Sequence, residues 1–221
     1  MTPIRERWHT LHKTIHNDAV QIVAVTKYAT PAQMCEAYHA GARIFGESKI
    51  QDALHKMETL PTEIATGVDW HFIGHLQTNK VNKTLGKFSL IHTIDSVRLA
   101  EVVSQKNAAT DRCQPVLLQI NISGEETKHG FSVAEIQVLF PHLQKFSGLE
   151  IRGLMTMAPY TKDVSVIRQT FSGLKVLRDT LSACSGSDLP ELSMGMSQDF
   201  LHALECGATI IRTGSYLFGS N

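Results

Sequence analysis

The sequence has no excess of charge of either sign, with 21 basic and 21 acidic residues among 221. A neutral chain gives no electrostatic reason to expect nucleic acid or an anionic membrane as its main partner. No apolar run approaches the roughly 18–20 residues of a membrane span, and the first eight residues lack the apolar core of a signal peptide. We therefore expect a cytoplasmic protein that contacts neither a membrane nor nucleic acid.

Several motifs of catalysis and metal binding are also missing. The four cysteines, Cys35, Cys113, Cys184 and Cys206, are far apart and form no Cys-x-x-Cys pair, which favours reduced thiols over a disulfide framework. The eleven histidines include no His-Glu-x-x-His, so the sequence predicts no metal site. Neither a Gly-x-Ser-x-Gly motif nor a Cys/His pair indicates a hydrolase.

What the chain does contain is a regular alternation of short apolar strands with helical segments. The expected strands are Ile22–Lys27, Arg43–Phe45, Asp69–Ile73, Leu90–Thr93, Pro115–Ile120, Ile151–Leu154, Glu191–Ser193 and Thr209–Arg212. Eight strand–helix units in one chain predict a single (β/α)8 TIM barrel over residues 1–221, and an amphipathic helix in Pro3–Asn17 precedes it. An open doubly wound sheet is the alternative, although no Gly-x-Gly-x-x-Gly follows the first strand.

Local signals define several helix ends. Thr30 and Ser132 each begin a capping-box sequence, and Gly41 is a natural helix stop. Pro61–Gly67 is expected to be a loop, and Pro141 is expected to kink or divide its helix.

Functional groups of a barrel come from the carboxyl ends of its strands, and the last two strands are the most informative. Strand 7 leads into Met194-Gly195-Met196-Ser197, where Ser197 is expected to cap the next helix. Strand 8 ends in Arg212-Thr213-Gly214-Ser215. Glycines allow an anion to approach the backbone, and the start of a helix and a hydroxyl supply hydrogen-bond donors. Together these features predict a phosphate site. The simpler alternative is a pair of turn glycines and an ordinary cap.

Lys27 ends the first strand, a β-branched run that is typical of a strand buried on both faces. An amine at such a position is partly removed from water, which makes it a better nucleophile toward aldehydes. A lysine opposite a phosphate site suits a Schiff base to pyridoxal 5′-phosphate (PLP). Arg212 would stay cationic beside the pyridine nitrogen and oppose protonation of the ring, so binding would persist while carbanion chemistry suffered.

Several motifs resemble the pyridoxal phosphate homeostasis proteins, which are single-domain relatives of the alanine racemase barrel. They are Val25-Thr26-Lys27, Phe45-Gly46-Glu47, Trp70-His71-Phe72-Ile73-Gly74, Ser193-Met194-Gly195-Met196-Ser197 and Arg212-Thr213-Gly214-Ser215. The resemblance implies Lys27 as the Schiff-base lysine, Ser197, Gly214 and Ser215 at the phosphate, and Arg212 near the ring nitrogen. Met196, Ser48 and Met155 complete the expected cofactor-binding set.

Three positions differ from the pattern of that family. Ser48 stands where asparagine usually follows Gly-Glu, His75 where proline usually follows Ile-Gly, and Ser215 where threonine is usual. Ser215 keeps the hydroxyl, whereas Ser48 has a shorter side chain than the usual asparagine. His75 is expected at the surface or at the mouth of the pocket.

Two functions follow from the resemblance. The first is a non-catalytic carrier that buffers PLP, transiently contacts PLP-requiring apoenzymes and works as a monomer, with no catalytic residue. The second is a PLP-dependent amino-acid racemase. Racemisation needs a second base on the opposite face of the cofactor, which alanine racemases supply as a tyrosine next to a further domain. The sequence ends at Asn221, directly after the eighth unit, and none of its four tyrosines lies in that context. The carrier is therefore preferred.

Overall fold

The computed structural model describes residues 2–125 and 127–219, so the ends of the 1–221 range and Glu126 lie outside the described residues. Eight parallel strands follow one another around a closed barrel in chain order. The predicted (β/α)8 barrel is therefore confirmed, and the alternative of an open doubly wound sheet is wrong.

The strands lie close to their predicted positions. They are β1 Gln21–Val25, β2 Ile44–Glu47, β3 Asp69–Phe72, β4 Leu90–Ile94, β5 Gln114–Gln119, β6 Leu149–Met155, β7 Glu191–Ser193 and β8 Ile210–Thr213. The difference that matters for function is at β1, which ends at Val25 and leaves Lys27 in the turn that follows.

Helices cover the outside of the barrel. They are α1 Ile4–Ile15, α2 Pro31–Ala40, α3 Ile50–Thr59, α4 Thr62–Thr66, α5 Val97–Ala108, α6 Val133–Leu143, α7 Val164–Ser185, α8 Phe200–Glu205 and α9 Ser215–Phe218, with a 3-10 helix at Thr78–Lys83. The predicted extra helix is α1, which packs against α2 and α9 through its buried residues. In the part of the chain described, no helix combines the length and the apolar character needed to cross a membrane.

The capping predictions hold at α2 and α6. Thr30 and Ser132 each form a complete capping box, and Gly41 ends α2 in the left-handed conformation. The prediction of a loop at Pro61–Gly67 was wrong, because this segment contains the short helix α4. Pro141 does not divide its helix, since α6 continues through it. Pro141 lies near the carboxyl end of α6, where few helical hydrogen bonds follow it.

Closure of the barrel depends on pairing between β1 and β8, in which Val23 lies opposite Arg212 and Ala24 opposite Thr213. Most buried apolar side chains form one large cluster between strands and helices. A second, small cluster contains only strand residues and lies inside the barrel: Val23, Leu90, Leu117, Met155 and Ile210. The barrel interior also encloses polar groups, and these lead to the candidate site.

Candidate functional site

A cavity of about 530 Å³ lies among the segments that follow β1, β6, β7 and β8. Parallel barrels carry their functional groups at this end of the strands. Seven of the eight residues expected to bind a cofactor line the cavity: Lys27, Ser48, Met196, Ser197, Arg212, Gly214 and Ser215. Residues from both ends of the sequence therefore meet at one place.

Met155 is the expected site residue that does not reach the cavity. It ends β6 and is buried in the apolar cluster inside the barrel, because its position in the strand directs the side chain inward. His75 has the first of its two expected positions: it is exposed at the surface and does not line the cavity.

Lys27 lies in a turn that is closed by a hydrogen bond from the Ala29 amide to the Thr26 carbonyl, 2.9 Å long. The lysine is exposed, so the prediction that it is partly removed from water was wrong. The reason is that β1 ends two residues earlier than predicted. Its Nζ lies 5.0 Å from the centroid of the Tyr28 ring, at the edge of the cavity.

A buried ion pair fixes the backbone next to Lys27. The Glu47 carboxylate is fully buried, and the Lys56 ammonium lies 2.7 Å from its Oε1. Lys56 also donates to the Thr26 carbonyl at 2.6 Å, and the Thr26 hydroxyl donates to Glu47 Oε1 at 2.6 Å. Loss of one partner would leave a buried charge unpaired, at a cost of about 3–5 kcal/mol. This network sets the point at which Lys27 leaves the barrel.

Ser197 connects the segments that follow β7 and β8. Its Oγ accepts hydrogen bonds from the amides of Gly214 and Tyr216, each 3.2 Å long. Its predicted role as the cap of the next helix was wrong, because α8 begins at Phe200 and its N-cap residue is Asp199. The serine instead binds amides at the start of α9. A hydroxyl that accepts two bonds still has its proton to donate, so Ser197 can bind an anion in the cavity.

Neither of the two glycines of this region has free space for a side chain. Gly195 has φ +91°, and a Cβ there would lie 2.6 Å from Cβ of Ala203. At Gly214 a Cβ would lie 3.3 Å from Cβ of Val25, in the neighbouring strand. A side chain at Gly214 would thus strain the β1–β8 contact beside the anion-binding groups.

Arg212 carries its positive charge into the barrel and is almost fully buried. Its guanidinium donates to Ser193 Oγ at 2.5 Å and to the Thr156 carbonyl at 3.0 Å. Burial lowers the pKa of Arg212 to about 10, partly offset by the negative charge of Asp199, so the group remains cationic at neutral pH.

Two buried histidines extend this hydrogen-bonded chain behind Arg212. Nδ1 of His92 lies 2.9 Å from Ser193 Oγ, and Nε2 of His92 lies 3.0 Å from Nδ1 of His71. Burial lowers the pKa of His71 to about 4. Burial, followed by the charges of His71 and Arg212, keeps the pKa of His92 well below its usual value. Both imidazoles are therefore neutral at pH 7 and support Arg212 without adding charge.

Sequence reasoning missed this chain and part of the cavity wall. His71 and His92 each lie within a strand of apolar neighbours, and a polar residue on a strand buried on both faces is a signal that could have found them. The segment that follows β6 also lines the cavity, through Met157, Tyr160 and Thr161. No motif in the sequence marks that segment.

Comparison with known proteins identifies the family. The model of the alanine racemase N-terminal domain matches residues 2–221. The curated pyridoxal phosphate homeostasis protein of Aquifex aeolicus is 38% identical over 202 residues, which cover 91% of this chain and 87% of that protein. Its counterpart from Bos taurus is 41% identical over 210 residues, which cover 90% of this chain and 76% of that one.

The chain belongs to the pyridoxal phosphate homeostasis protein family.

Solved structures agree with this family assignment. PipY of Synechococcus elongatus, solved without PLP, has a TM-score of 0.92 and 34% identity, covering 98% of this chain and all of that one. The same protein with PLP bound has a TM-score of 0.88. An alanine racemase of Clostridium difficile has a TM-score of 0.82 at 13% identity and covers all of this chain but 57% of that one, which is a likeness of fold alone.

The two neutral histidines predict acid sensitivity in the PLP-free protein. Because the unfolded histidines take up protons below pH 6.5 and the folded His71 does so only near pH 4, stability falls as the pH drops through this range. Between about pH 7.5 and pH 5, His71 alone is expected to lower the free energy of unfolding by about 2 kcal/mol, and His92 lowers it further. Urea denaturation at the two pH values measures the loss.

The variant His92→Gln removes one titrating group, so its loss of stability between these pH values should be smaller than that of the natural chain. His55→Gln changes an exposed histidine and is the matched control, with an unchanged loss. An equal loss in His92→Gln and the natural chain would contradict the assignment.

Proposed function

We propose that this chain binds PLP in the cavity, holds it as a Schiff base on Lys27 and takes part in PLP homeostasis without catalysing a reaction. The observation that carries this proposal is the meeting of an amine, a buried guanidinium and anion-binding groups at one cavity. The names of the relatives and the PipY structure with PLP bound support it.

The phosphate is assigned to the segments after β7 and β8. The hydroxyls of Ser197 and Ser215 offer protons, and the amide of Ser215, the first residue of α9, has no carbonyl partner within that helix. Gly214 lines the cavity and has no side chain that would hinder the approach of an anion to its backbone. Ser48 and Met196 line the same cavity and are assigned to contacts with the rest of the cofactor.

Arg212 is assigned to the pyridine nitrogen. PLP supplies an aldehyde for imine formation and a ring that withdraws electrons when its nitrogen is protonated. A guanidinium that stays cationic at neutral pH donates a hydrogen bond to that nitrogen and opposes its protonation. The contacts of Arg212 with Ser193 and Thr156 fix the direction in which it donates. This arrangement favours binding over carbanion chemistry.

A carrier also needs access to its cofactor. Lys27 is exposed in its turn, so exchange of the aldehyde does not require the barrel to open. Water at the lysine suits reversible imine formation and hydrolysis, whereas proton transfer in enzymes is usually protected from water. We further infer that the barrel acts in the cytoplasm as one monomeric PLP-binding domain, and that it passes PLP to apoenzymes through transient contact.

Amino-acid racemisation is the second candidate function, and one observation favours it. Tyr28 and Tyr160 line the cavity, where a tyrosine could serve as a second base. Both are largely exposed, at 71% and 93%. Their exposure gives neither ring a fixed direction toward a substrate, so the carrier remains the better proposal.

Replacement of Lys27 tests the binding mode. Lys27→Ala should abolish the visible absorbance of the PLP-loaded protein, because no other amine is assigned to the aldehyde. Circular dichroism should remain that of the natural chain, since the exposed side chain contributes little to the core. Lys128→Ala is the matched control, because this lysine pairs with Glu125 in the loop after β5 and should leave the absorbance intact. A Lys27→Ala protein that keeps the absorbance contradicts the proposal.

Solvent exchange separates the carrier from the racemase. PLP-loaded protein incubated with L-alanine in D2O should show no deuterium at Cα above the rate of free PLP, as measured by NMR. Exchange at an enzyme-like rate of about 1 s⁻¹ or more would instead support the racemase. If exchange occurs, Tyr28→Phe and Tyr160→Phe identify the second base, because loss of the phenol group would abolish it.

A further inference from the structure

Three side chains with metal-binding atoms meet at the carboxyl rim of the barrel, outside the PLP cavity. His75 follows β3, Asp95 follows β4, and His129 lies in the loop after β5. One ligand atom of each residue lies within 4.8 Å of those of the other two. Because β3, β4 and β5 are neighbours in the barrel, the fold itself brings the three together.

The geometry is close to that of a metal site. Nδ1 of His75 lies 3.1 Å from Oδ2 of Asp95, and the rings of His75 and His129 are stacked with centroids 4.5 Å apart. Ligand atoms about 2.0–2.1 Å from a tetrahedral zinc ion are roughly 3.3 Å from each other. The His75–Asp95 pair already has this spacing. A ligand atom of the exposed His129 lies within 4.8 Å of those of both other residues.

The electrostatics of the cluster also favour a cation. The Asp95 side chain is only 10% exposed, and its one ion-pair partner among the described residues is His75. A carboxylate largely removed from water needs positive charge beside it.

The backbone holds the third ligand near the other two. The His129 carbonyl accepts a hydrogen bond from Nε2 of Gln119, the last residue of β5, at 3.0 Å. This contact ties the end of the loop to the barrel rim. The His129 backbone is therefore held next to the cluster, and its ring stacks on that of His75.

We propose that His75, Asp95 and His129 form a binding site for a divalent transition-metal ion of the zinc type. Two imidazoles and one carboxylate suit zinc, and three protein ligands leave at least one position for water or an external ligand. The ion would join the segments after β3, β4 and β5. None of the three residues lines the PLP cavity, so the site does not depend on the proposed PLP function.

Cobalt(II) is the probe for this site, because it replaces zinc and absorbs visible light when bound. The full-length chain, freed of metal with a chelator, is titrated with Co²⁺, and Zn²⁺ affinity is measured by calorimetry. One ion per chain is expected. His75→Ala, Asp95→Asn and His129→Ala should each weaken binding by about tenfold or more, because each removes a ligand. Circular dichroism verifies that the variants fold.

His12→Ala is the matched control and should bind as the natural chain does. His12 lies 4.0 Å from Asp18 in an exposed pair, so it tests whether any histidine–aspartate pair is sufficient. Absence of stoichiometric binding up to about 1 mM metal would overturn the proposal. Unchanged binding in His129→Ala and His75→Ala would also overturn it, since the ion would then lie elsewhere.

Discussion

Pairing of the first strand with the last is the constraint on which the site depends. β1 and β8 align along Gln21–Ala24 and Ile210–Thr213, and this closes the barrel. Closure brings the turn that carries Lys27 beside Arg212 and Gly214, from the other end of the chain. In an open sheet β1 and β8 would not pair, and these residues would not share a cavity. Gly214 permits the contact because a side chain there would press on Val25.

Polar groups inside the barrel then determine what the cavity can do. The Glu47–Lys56 pair holds the Thr26 backbone, and neutral His92 supports Ser193, which holds Arg212. A buried arginine costs free energy. Among the residues that the structure describes, hydrogen bonds hold Arg212, and no carboxylate forms an ion pair with it. In the proposed site, the Arg212 guanidinium always donates to the pyridine nitrogen of PLP, and Lys27 stays accessible to solvent. Such a site suits storage of an aldehyde more than chemistry on it.

The sequence was sufficient for the barrel and for most of the cavity. Alternating apolar strands and helical periodicity are local signals, and strand ends of a parallel barrel converge, so seven of eight expected residues share the cavity. The sequence was insufficient for features that depend on tertiary contacts. Met155 resembles a strand-end ligand but packs inside the barrel, and Ser197 resembles a helix cap but binds amides of another segment. The His71–His92 chain and the His75–Asp95–His129 cluster join residues from separate strands or loops, a proximity that no local pattern encodes.

Chemical trapping of the bound aldehyde tests the proposed attachment to Lys27 most directly. The PLP-loaded chain is reduced with borohydride and digested, and mass spectrometry locates the pyridoxyl group. Of the twelve lysines in the sequence, Lys27 alone lines the cavity among the residues that the structure describes. The label is expected on Lys27, in about one equivalent per chain. A label on Lys128 or another lysine outside the cavity, with none on Lys27, would contradict the account.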